Sequence, residues 1–230
     1  MIKHLAMIMD GNRRWAKKNK LSLLSGYSEG GFGAARIAAQ FCKEEGIKYL
    51  SLYAFSLENF NRPQYEQDIL FNGIITQGEK YISLFKEQNS NVRFIGDRSK
   101  FPAKVLPTIT LLEQETAECD GLYINILFCY GARQELVCSI KRLFHKIKNG
   151  LLSENDISET TLEQCLWTAG IPQPELIIRT SGTQRLSNFL LYQAAYSEFY
   201  FIDCLWPELT REHLQQAVDS YLGIQRNFGV

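Results

Sequence analysis

The sequence has no excess of charge of either sign, because 25 Lys and Arg residues balance 25 Asp and Glu residues among 230 positions. A dedicated nucleic-acid-binding protein usually carries a basic surplus, so no nucleic-acid partner is expected. Hydrophobic residues make up 45%, charged residues 22% and aromatic residues 12% of the chain. These proportions exclude disordered, collagenous and coiled-coil proteins, and they are typical of a globular domain with a packed core.

Cysteine pairs at the spacing of a metal or redox motif are also missing. The six cysteines are Cys42, Cys119, Cys129, Cys138, Cys165 and Cys204. Because no two of them are separated by only two residues, we expect reduced cysteines in a cytoplasmic protein. No apolar run approaches the ~20 residues of a membrane span. The run Leu5–Met9 is too short for a signal peptide.

Short apolar segments alternate with longer amphipathic segments. Six apolar segments have the pattern of strands that are buried on both faces of a parallel sheet. They are His4–Met9, Tyr49–Phe55, Val92–Ile95, Leu122–Cys129, Leu176–Ile178 and Phe199–Ile202. The helical patterns are Phe32–Glu45, Gln67–Gln88, Ala103–Glu118, Gln134–Lys148, Leu162–Thr168, Asn188–Ser197 and Glu212–Arg226. Pro107 lies inside the third pattern, so we expect that helix to begin late or to bend.

This alternation predicts an α/β fold, with a single domain over residues 1–230 and a mostly parallel central sheet of about six strands flanked by helices. In such sheets, ligands bind beyond the carboxyl ends of the strands. Five of the six predicted strands are followed by arginine. These residues are Arg13, Arg14, Arg62, Arg98, Arg133, Arg179 and Arg185. Because guanidinium groups bind phosphate oxygens in a bidentate manner, the sequence predicts an anionic, phosphorylated ligand.

Asp10 directly follows the first predicted strand. A carboxylate there can hold Mg²⁺, which proteins bind through one or two carboxylates together with substrate phosphates. A helix cap or a turn is the alternative role, and the sequence leaves both open. Residues 1–28 carry a net charge of +5. For the lysines a solvated surface is expected, whereas Arg13 and Arg14 lie beside the aspartate and are suited to phosphate.

Two later segments offer further candidate binding groups. Ser56 and Asn59 lie in a long polar turn, where they could position a substrate proton or a diphosphate oxygen, or merely cap the turn. Arg179, Arg185 and Ser187 flank a serine–glycine turn, where backbone N–H groups, a hydroxyl and two guanidinium groups suit a second phosphate. A surface turn with incidental arginines is the alternative there.

Four segments resemble the motifs of the cis-prenyltransferase family, in the same order, and are most similar to its bacterial undecaprenyl diphosphate synthases. They are His4–Trp15, Tyr53–Pro63, Ile178–Gly182 and Arg185–Gln193. Tyr196–Phe201 and Leu205–Pro207 are similar as well, so the resemblance extends from about His4 to Phe228. Several motifs in a common order make the resemblance far more specific than any one of them.

The resemblance implies a Mg²⁺-dependent transferase that condenses isopentenyl diphosphate units onto farnesyl diphosphate with cis double bonds. The implied product is undecaprenyl diphosphate, the lipid carrier precursor for cell-wall glycan synthesis. Because the product is hydrocarbon, an apolar tunnel is required. Gln67–Gln88 and Leu122–Cys129 could line it or be ordinary core. Two alternatives are a non-catalytic prenyltransferase-like partner subunit and a short-chain cis-prenyl synthase.

The resemblance also implies roles for individual residues. Asp10 would be catalytic and hold Mg²⁺, Asn59 would assist proton loss, and Glu198 would reach the metal from the partner subunit of a homodimer. The implied substrate-binding residues are Gly11, Asn12, Arg13, Arg14 and Trp15 for the allylic diphosphate, Ser56, Leu57, Glu58, Phe60 and Arg62 for the reacting groups, and Arg179, Arg185, Leu186 and Ser187 for isopentenyl diphosphate. A transient contact with a membrane surface would accompany product release.

The chain departs from the family pattern at several places. Arg13 stands where the family has glycine, and Phe60 stands where it usually has tryptophan. Leu23 and Tyr27 replace an arginine and a histidine, and Gln184 replaces a second histidine. The resemblance therefore leaves open whether this chain compensates for the missing imidazole and guanidinium groups.

Overall fold

The central sheet is built from the six segments that the sequence predicts as strands. A computed structural model describes residues 2–224. The strands are β1 (His4–Ile8), β2 (Tyr49–Ser56), β3 (Ser90–Ile95), β4 (Leu122–Tyr130), β5 (Leu176–Arg179) and β6 (Glu198–Phe201). The helices are α1 (Asn12–Lys18), α2 (Leu23–Ser25), α3 (Phe32–Glu44), α4 (Gln64–Glu87), α5 (Leu106–Glu115), α6 (Ala132–Lys148), α7 (Glu159–Glu163) and α8 (Arg211–Leu222). None of these helices combines the length and the apolar content that a membrane crossing requires.

The strands lie side by side in the order β3-β4-β2-β1-β5-β6, and every neighbouring pair is parallel. This arrangement confirms the predicted α/β fold. The chain adds β2, β3 and β4 on one side of β1 and then adds β5 and β6 on the other side. The connections that leave β1 and β5 therefore diverge, and a crevice opens between the carboxyl ends of these two strands.

Apolar side chains cover both faces of the sheet. On one face, α3, α4, α5 and α8 pack over a core that includes Phe41, Phe55 and Phe128. On the other face, a smaller cluster joins the sheet to α6 and to the turns before β6, with Tyr130 and Phe189 at its centre. The larger of these two cores contributes apolar residues to the wall of the cavity described below.

The polar stretch after β1 folds as α1, a helix that the sequence pattern did not predict. Gly11 precedes this helix with a φ of 117°, a conformation that glycine adopts readily and other residues rarely adopt. A Cβ atom at this position would lie 3.0 Å from Leu205, so glycine also permits the close approach of the two segments. The turn brings Asp10 and the start of α1 to the crevice.

Two predicted helices were wrong. In place of Leu162–Thr168, α7 ends at Glu163 and turns follow it, and in place of Asn188–Ser197 the chain forms turns and bends. Positive φ angles at residues 187, 188 and 190 are incompatible with a helix. The apolar residues that suggested a helix there are buried against the second face of the sheet.

The remaining helices agree with their patterns to within a few residues. The third pattern begins late, as expected, because α5 starts at Leu106 with Pro107 in its first turn. The last pattern forms α8 as far as Leu222, and its predicted end at residue 226 lies outside the described residues.

A buried polar ladder connects three strands near their amino ends. His4 Nδ1 donates to the carbonyl oxygen of Pro172 at 2.6 Å, so Nε2 accepts from the Ser51 hydroxyl at 2.8 Å. Asn125 Nδ2 donates to the same hydroxyl oxygen at 3.3 Å. Burial lowers the pKa of His4 to about 4, although the hydrogen bond to Pro172 opposes this shift. The imidazole is therefore neutral in the folded protein at neutral pH.

This neutral imidazole makes the stability of the protein depend on pH. Below about pH 6.5 the unfolded chain binds a proton at His4 that the folded protein does not bind, so stability decreases as the pH falls towards about 4. We expect a loss of about 3 kcal/mol over this interval from this group. Urea denaturation between about pH 7 and pH 4.5 measures it, and the His4→Asn variant should show a shallower slope. Equal slopes in both proteins would contradict this assignment.

Candidate active site

The crevice at the carboxyl edge opens into a cavity of about 1590 Å³. This volume exceeds the roughly 300–1,000 Å³ of most small-molecule pockets. Eleven of the sequence-predicted site residues line the cavity. They are Asp10, Gly11, Asn12, Arg13, Arg14, Ser56, Asn59, Arg62, Arg179, Arg185 and Ser187. The edge therefore brings together groups that follow β1, β2 and β5.

Asp10 lies at the centre of the polar end of the cavity. Its Oδ2 accepts from Arg179 Nη2 at 2.9 Å, and its Oδ1 lies 3.2 Å from Arg14 Nη2. The Thr180 hydroxyl fixes the backbone, since it donates to the Asp10 carbonyl at 2.6 Å and accepts from the Asp10 N–H at 3.0 Å. One carboxylate thus connects the end of β5 to the first helix.

The electrostatic environment keeps Asp10 ionised. Burial alone would raise the pKa of its carboxyl group, but hydrogen bonds from Arg179 and Ser181 and the charges of Arg179 and Arg14 together lower it. The carboxylate also retains partial solvent access towards the cavity. An ionised, partly accessible carboxylate can bind a cation, and the two guanidinium groups beside it can bind an anion.

Arg179 is buried and organises the segment that follows β5. Its Nη1 donates to the Ser187 hydroxyl at 2.8 Å and to the carbonyl oxygen of Arg185. Its Nε has no hydrogen-bond partner among the described residues. The Arg185 side chain is exposed and lines the cavity. The guanidinium and hydroxyl groups predicted to bind a phosphate therefore do converge.

The backbone N–H groups of the serine–glycine turn are not available to a phosphate, which corrects one expectation. Ser181 N–H donates to the Cys204 carbonyl at 2.7 Å, and Gly182 N–H donates to the Ile202 carbonyl at 2.8 Å. These bonds continue the pairing between the segments that follow β5 and β6. The N–H groups of Ser181 and Gly182 therefore cannot bind an anion.

The polar turn after β2 is self-capped and also faces the cavity. Ser56 N–H donates to Asn59 Oδ1 at 3.2 Å, so the capping role that the sequence left open is present. Asn59 lines the cavity as well. Arg62 Nη1 donates to the Tyr27 hydroxyl at 3.0 Å, and this bond directs the guanidinium towards the segment between α1 and α3.

Arg13 extends from α1 towards the start of α4. Its Nη2 lies 3.4 Å from Oε1 of Glu66, a carboxylate that is 2% exposed and whose Oε2 has no hydrogen-bond partner within residues 2–224. The pKa of Tyr27 is raised by burial and by the charge of Glu66, although Arg62 and Arg13 oppose the shift. Arg13 thus contacts Glu66, and Tyr27 contacts Arg62. The two departures from the family pattern therefore lie in one small charged cluster.

Beyond this polar end, most of the cavity lining is apolar. Both segments predicted as possible tunnel walls contribute to it, together with β2, β3 and α5. The apolar residues that line it include Leu52, Leu70, Ile74, Phe85, Val92, Phe94, Leu112, Ile124, Ile126 and Phe128. A chamber of this composition suits a hydrocarbon chain.

Six other sequence-predicted site residues lie outside the cavity lining. They are Trp15, Leu57, Glu58, Phe60, Leu186 and Glu198. Leu57, Phe60 and Leu186 pack against the two cores, and Trp15 lies beside Gly30. Glu58 accepts a hydrogen bond from Asn188 at 2.7 Å. Glu198 pairs with Leu176 at the amino end of β6, so within one chain it lies at the edge opposite Asp10.

Two of the strand-end arginines do not reach the site. Arg98 follows the edge strand β3 and pairs with Glu113 at 2.5 Å. Arg133 lies in the first turn of α6, where it is exposed. Arginines that follow β1, β2 and β5 therefore line the cavity, whereas Arg98 after β3 and Arg133 after β4 do not.

Sequence reasoning gave no role to Thr180, Tyr27 or Glu66. Thr180 holds the Asp10 backbone through a contact between residues 170 positions apart. Glu66 lies just before the predicted helix Gln67–Gln88 and in the first turn of the observed α4, where an acid is a common and unspecific signal. Only the fold shows that it faces Arg13.

Asp10 is the carboxylate that best fits a divalent ion at this site. No group of three His, Cys, Asp or Glu side chains is close enough to hold a metal anywhere in the described part of the chain. Magnesium is commonly held by one or two carboxylates, with substrate phosphates and waters completing its shell. The ionised Asp10 beside phosphate-binding arginines fits that pattern.

Comparison with known proteins is consistent with this geometry. A family model for undecaprenyl diphosphate synthases, Prenyltransf, matches residues 8–229. Isoprenyl transferase of Bacillus subtilis (strain 168) is 43% identical over 226 residues, which is 98% of this chain and 86% of the relative. A relative from Buchnera aphidicola is named ditrans,polycis-undecaprenyl-diphosphate synthase ((2E,6E)-farnesyl-diphosphate specific). It is 40% identical over 226 residues, which is 98% of this chain and 90% of the relative.

Two solved structures have the same fold. Lavandulyl diphosphate synthase from Lavandula x intermedia, in complex with dimethylallyl diphosphate, is similar with a TM-score of 0.95 and 33% identity, over 100% of this chain and 98% of that one. A probable undecaprenyl diphosphate synthase from Campylobacter jejuni is similar with a TM-score of 0.82 and 34% identity, over 100% and 99% of the two chains.

Proposed function

This chain belongs to the undecaprenyl diphosphate synthase family, and we propose that it condenses isopentenyl diphosphate onto farnesyl diphosphate to make undecaprenyl diphosphate. One observation carries the proposal: a cluster of arginines around Asp10 opens directly onto a large apolar cavity. The substrates have the same two parts, because each has a diphosphate and a hydrocarbon chain. As the resemblance implies, we assign this product the role of lipid carrier precursor for cell-wall glycan synthesis.

The polar end supplies the electrostatic part of the chemistry. The C–O bond of the allylic diphosphate breaks, and diphosphate leaves with both bonding electrons. The alkene of isopentenyl diphosphate forms the new C–C bond, and a proton is lost to restore a double bond. Arg14, with Asn12 and Arg13 nearby, would stabilise the leaving diphosphate. Arg179, Arg185 and Ser187 would hold the second diphosphate through charged hydrogen bonds.

Asn59 and Ser56 would orient the reacting groups between these two diphosphates. Both line the cavity after β2, between the ends of β1 and β4. The carboxamide of Asn59 is held by the Ser56 N–H, so its position is fixed before substrate arrives. We assign to it the assistance of proton loss that the family resemblance implies.

Mg²⁺ would be held by Asp10 together with diphosphate oxygens. When bound, the ion would neutralise developing charge on the leaving group. Arg14 and Arg179 neutralise Asp10 in this structure, so the carboxylate already lies in a setting that compensates its charge. Glu198 would come from the partner subunit, because within one chain it lies at the opposite edge of the sheet.

Product analysis tests this function. Purified protein is incubated with Mg²⁺, farnesyl diphosphate and radiolabelled isopentenyl diphosphate, and the products are separated by chain length. We expect a long polyprenyl product. We expect Asp10→Asn to lower the rate by about 10²–10³-fold, because the carboxylate that would hold Mg²⁺ against the negative charge of the leaving diphosphate is lost. Asp97→Asn, a change at the aspartate after β3 that lies outside the cavity, is the matched control.

The alternatives predict different outcomes in the same assay. A short product would indicate a short-chain cis-prenyl synthase. No incorporation by folded wild-type protein would contradict the proposed function and favour a partner subunit without activity of its own.

We also propose that the protein is a homodimer. Three apolar side chains on one face of α6 are exposed: Val137, Ile140 and Phe144. Phe199 of the edge strand β6 is exposed too and stacks with Phe201. A large apolar surface on a globular protein is typical of a contact with another protein. A second copy seated there would also bring its own β6, and with it Glu198, to the boundary between subunits.

The dimer is tested by changing this apolar surface. Phe144→Glu places a charge on it, and we expect the mass in solution to fall from two chains to one in sedimentation velocity measurements. Leu222→Glu is the matched control, because Leu222 is similarly exposed on α8, which packs on the other face of the sheet. Retention of the dimer by Phe144→Glu, or loss of it in the control, would contradict this surface.

We place the protein in the cytoplasm with a transient contact at an anionic membrane surface. The six cysteines are free, which suits a reducing compartment. Leu21 and Tyr65 are exposed and line the cavity, so the cavity opens between α1 and α4. Leu24 and Lys20 are exposed beside this opening. Apolar side chains next to cations are suited to an anionic lipid surface, into which a long product can be released.

Vesicle sedimentation tests the membrane contact. We expect binding to vesicles that contain anionic phosphatidylglycerol and weak binding to neutral phosphatidylcholine vesicles. The double variant Leu24→Ser/Lys20→Glu should bind about tenfold more weakly, since an apolar and an ionic contact are both lost. Leu151→Ser/Lys148→Glu, an exposed leucine and lysine at the end of α6, is the control. Equal loss in both variants would contradict the assignment.

A further inference from the structure

Asn188 lies where three of the strand-end segments meet. It directly follows Ser187, whose hydroxyl accepts from Arg179. Its φ is 65°, a left-handed conformation that asparagine tolerates better than most residues. This conformation turns its carboxamide away from the cavity and towards the segments that follow β2 and β4.

Asn188 both accepts and donates hydrogen bonds, through its side-chain carboxamide and its backbone carbonyl. Its Oδ1 accepts from the Arg133 N–H at 2.9 Å, and its backbone carbonyl accepts from the Ala132 N–H at 2.9 Å, so it caps the start of α6. Its Nδ2 donates to Gln134 Oε1 at 3.0 Å and to Glu58 Oε1 at 2.7 Å. The bond to the Glu58 carboxylate is the shortest of these contacts.

The bond between Asn188 and Glu58 connects two segments with different roles in the reaction. Glu58 belongs to the turn that carries Asn59 and ends at Arg62, and Asn188 belongs to the segment that carries Arg185 and Ser187. Neither Glu58 nor Asn188 lines the cavity. Their contact can therefore act on substrate only by fixing the two segments relative to each other.

We propose that Asn188 is a positioning residue that, through its hydrogen bond to Glu58, holds the isopentenyl diphosphate segment at a fixed distance from the turn that orients the reacting groups. This inference rests on the proposed function. The two segments are separated by more than 120 positions in the chain and belong to strands that β1 keeps apart in the sheet. The charged hydrogen bond between Asn188 and Glu58 joins the turn to the segment directly at the cavity edge, and Tyr53 of β2 donates a neutral hydrogen bond to the Ser187 carbonyl at 3.3 Å.

Asn188→Asp separates this bridge from the folding role of the residue. The aspartate keeps an oxygen for the Arg133 N–H, and a negative charge is favourable at the start of a helix. Gln134 can rotate its amide to donate instead of accepting. At Glu58, however, two carboxylates would meet at the distance of the present hydrogen bond. The variant should therefore fold normally and lose only the bridge.

The second change restores the bridge with its polarity reversed. In Asn188→Asp/Glu58→Gln, the amide of the new glutamine donates to the new carboxylate. We expect Asn188→Asp to raise both the KM for isopentenyl diphosphate and its dissociation constant in calorimetry by about tenfold, the effect of one lost charged hydrogen bond. The KM for farnesyl diphosphate should stay within about twofold, because within residues 2–224 the Asn188 side chain makes no hydrogen bond to Asp10 or Arg14. The double variant should recover most of the affinity.

Gln134→Ala is the matched control, since it removes another contact of the same carboxamide without touching Glu58; unchanged affinity there is expected. Glu58→Ala removes the far end of the bridge and keeps the test open if Asn188→Asp does not fold. The inference is overturned if the double variant binds no better than Asn188→Asp, if both substrates lose affinity equally, or if folded Asn188→Asp behaves as wild type. Calorimetry with isopentenyl diphosphate also tests the bridge in a protein that makes no product, so failure of the proposed function is recognised separately.

Discussion

The ion pair between Asp10 and Arg179 joins the carboxyl ends of β1 and β5, and the rest of the polar site depends on it. Arg179 is buried, so removing the carboxylate would leave a charge without compensation inside the protein. The same guanidinium holds Ser187, while the second oxygen of Asp10 faces Arg14 on α1. Three segments that are distant in the sequence are thus fixed to one another by two charged side chains.

The strands were predictable because each is a short and mostly apolar segment, although burial on both faces fails for β6, whose residues are half-buried or exposed. The carboxyl-edge rule then located Asp10, Arg14 and Arg179 in one site. The same rule overestimated the cluster, since it does not say which strands are neighbours. Arg98 follows β3 at the edge of the sheet and therefore pairs locally with Glu113. Strand order is a property of the whole chain and was not available from any single segment.

Other features escaped prediction because they depend on contacts between distant residues. The turns around Asn188 and Phe189 have apolar residues at helix-like spacing, yet their burial against the sheet and positive φ angles replace a helix. The N–H groups of Ser181 and Gly182 were suited to phosphate in isolation, but the segment after β6 occupies them. The departures at Arg13 and Tyr27 are explained by their contacts with Glu66 and Arg62, which only the fold brings close to them.

The apolar cavity has a consequence for the time course of the reaction. Burial of hydrocarbon contributes about 0.8 kcal/mol per methylene, so each five-carbon unit added inside the cavity strengthens retention of the growing chain by roughly 3 kcal/mol. The residence time of an intermediate then lengthens by about two orders of magnitude per unit while space remains. Early intermediates are kept until they are extended, and the finished chain dissociates slowly. The apolar residues of α4 and β4 would thus control how fast the finished product dissociates. The charged residues at the carboxyl edge of the sheet would control how fast each five-carbon unit is added.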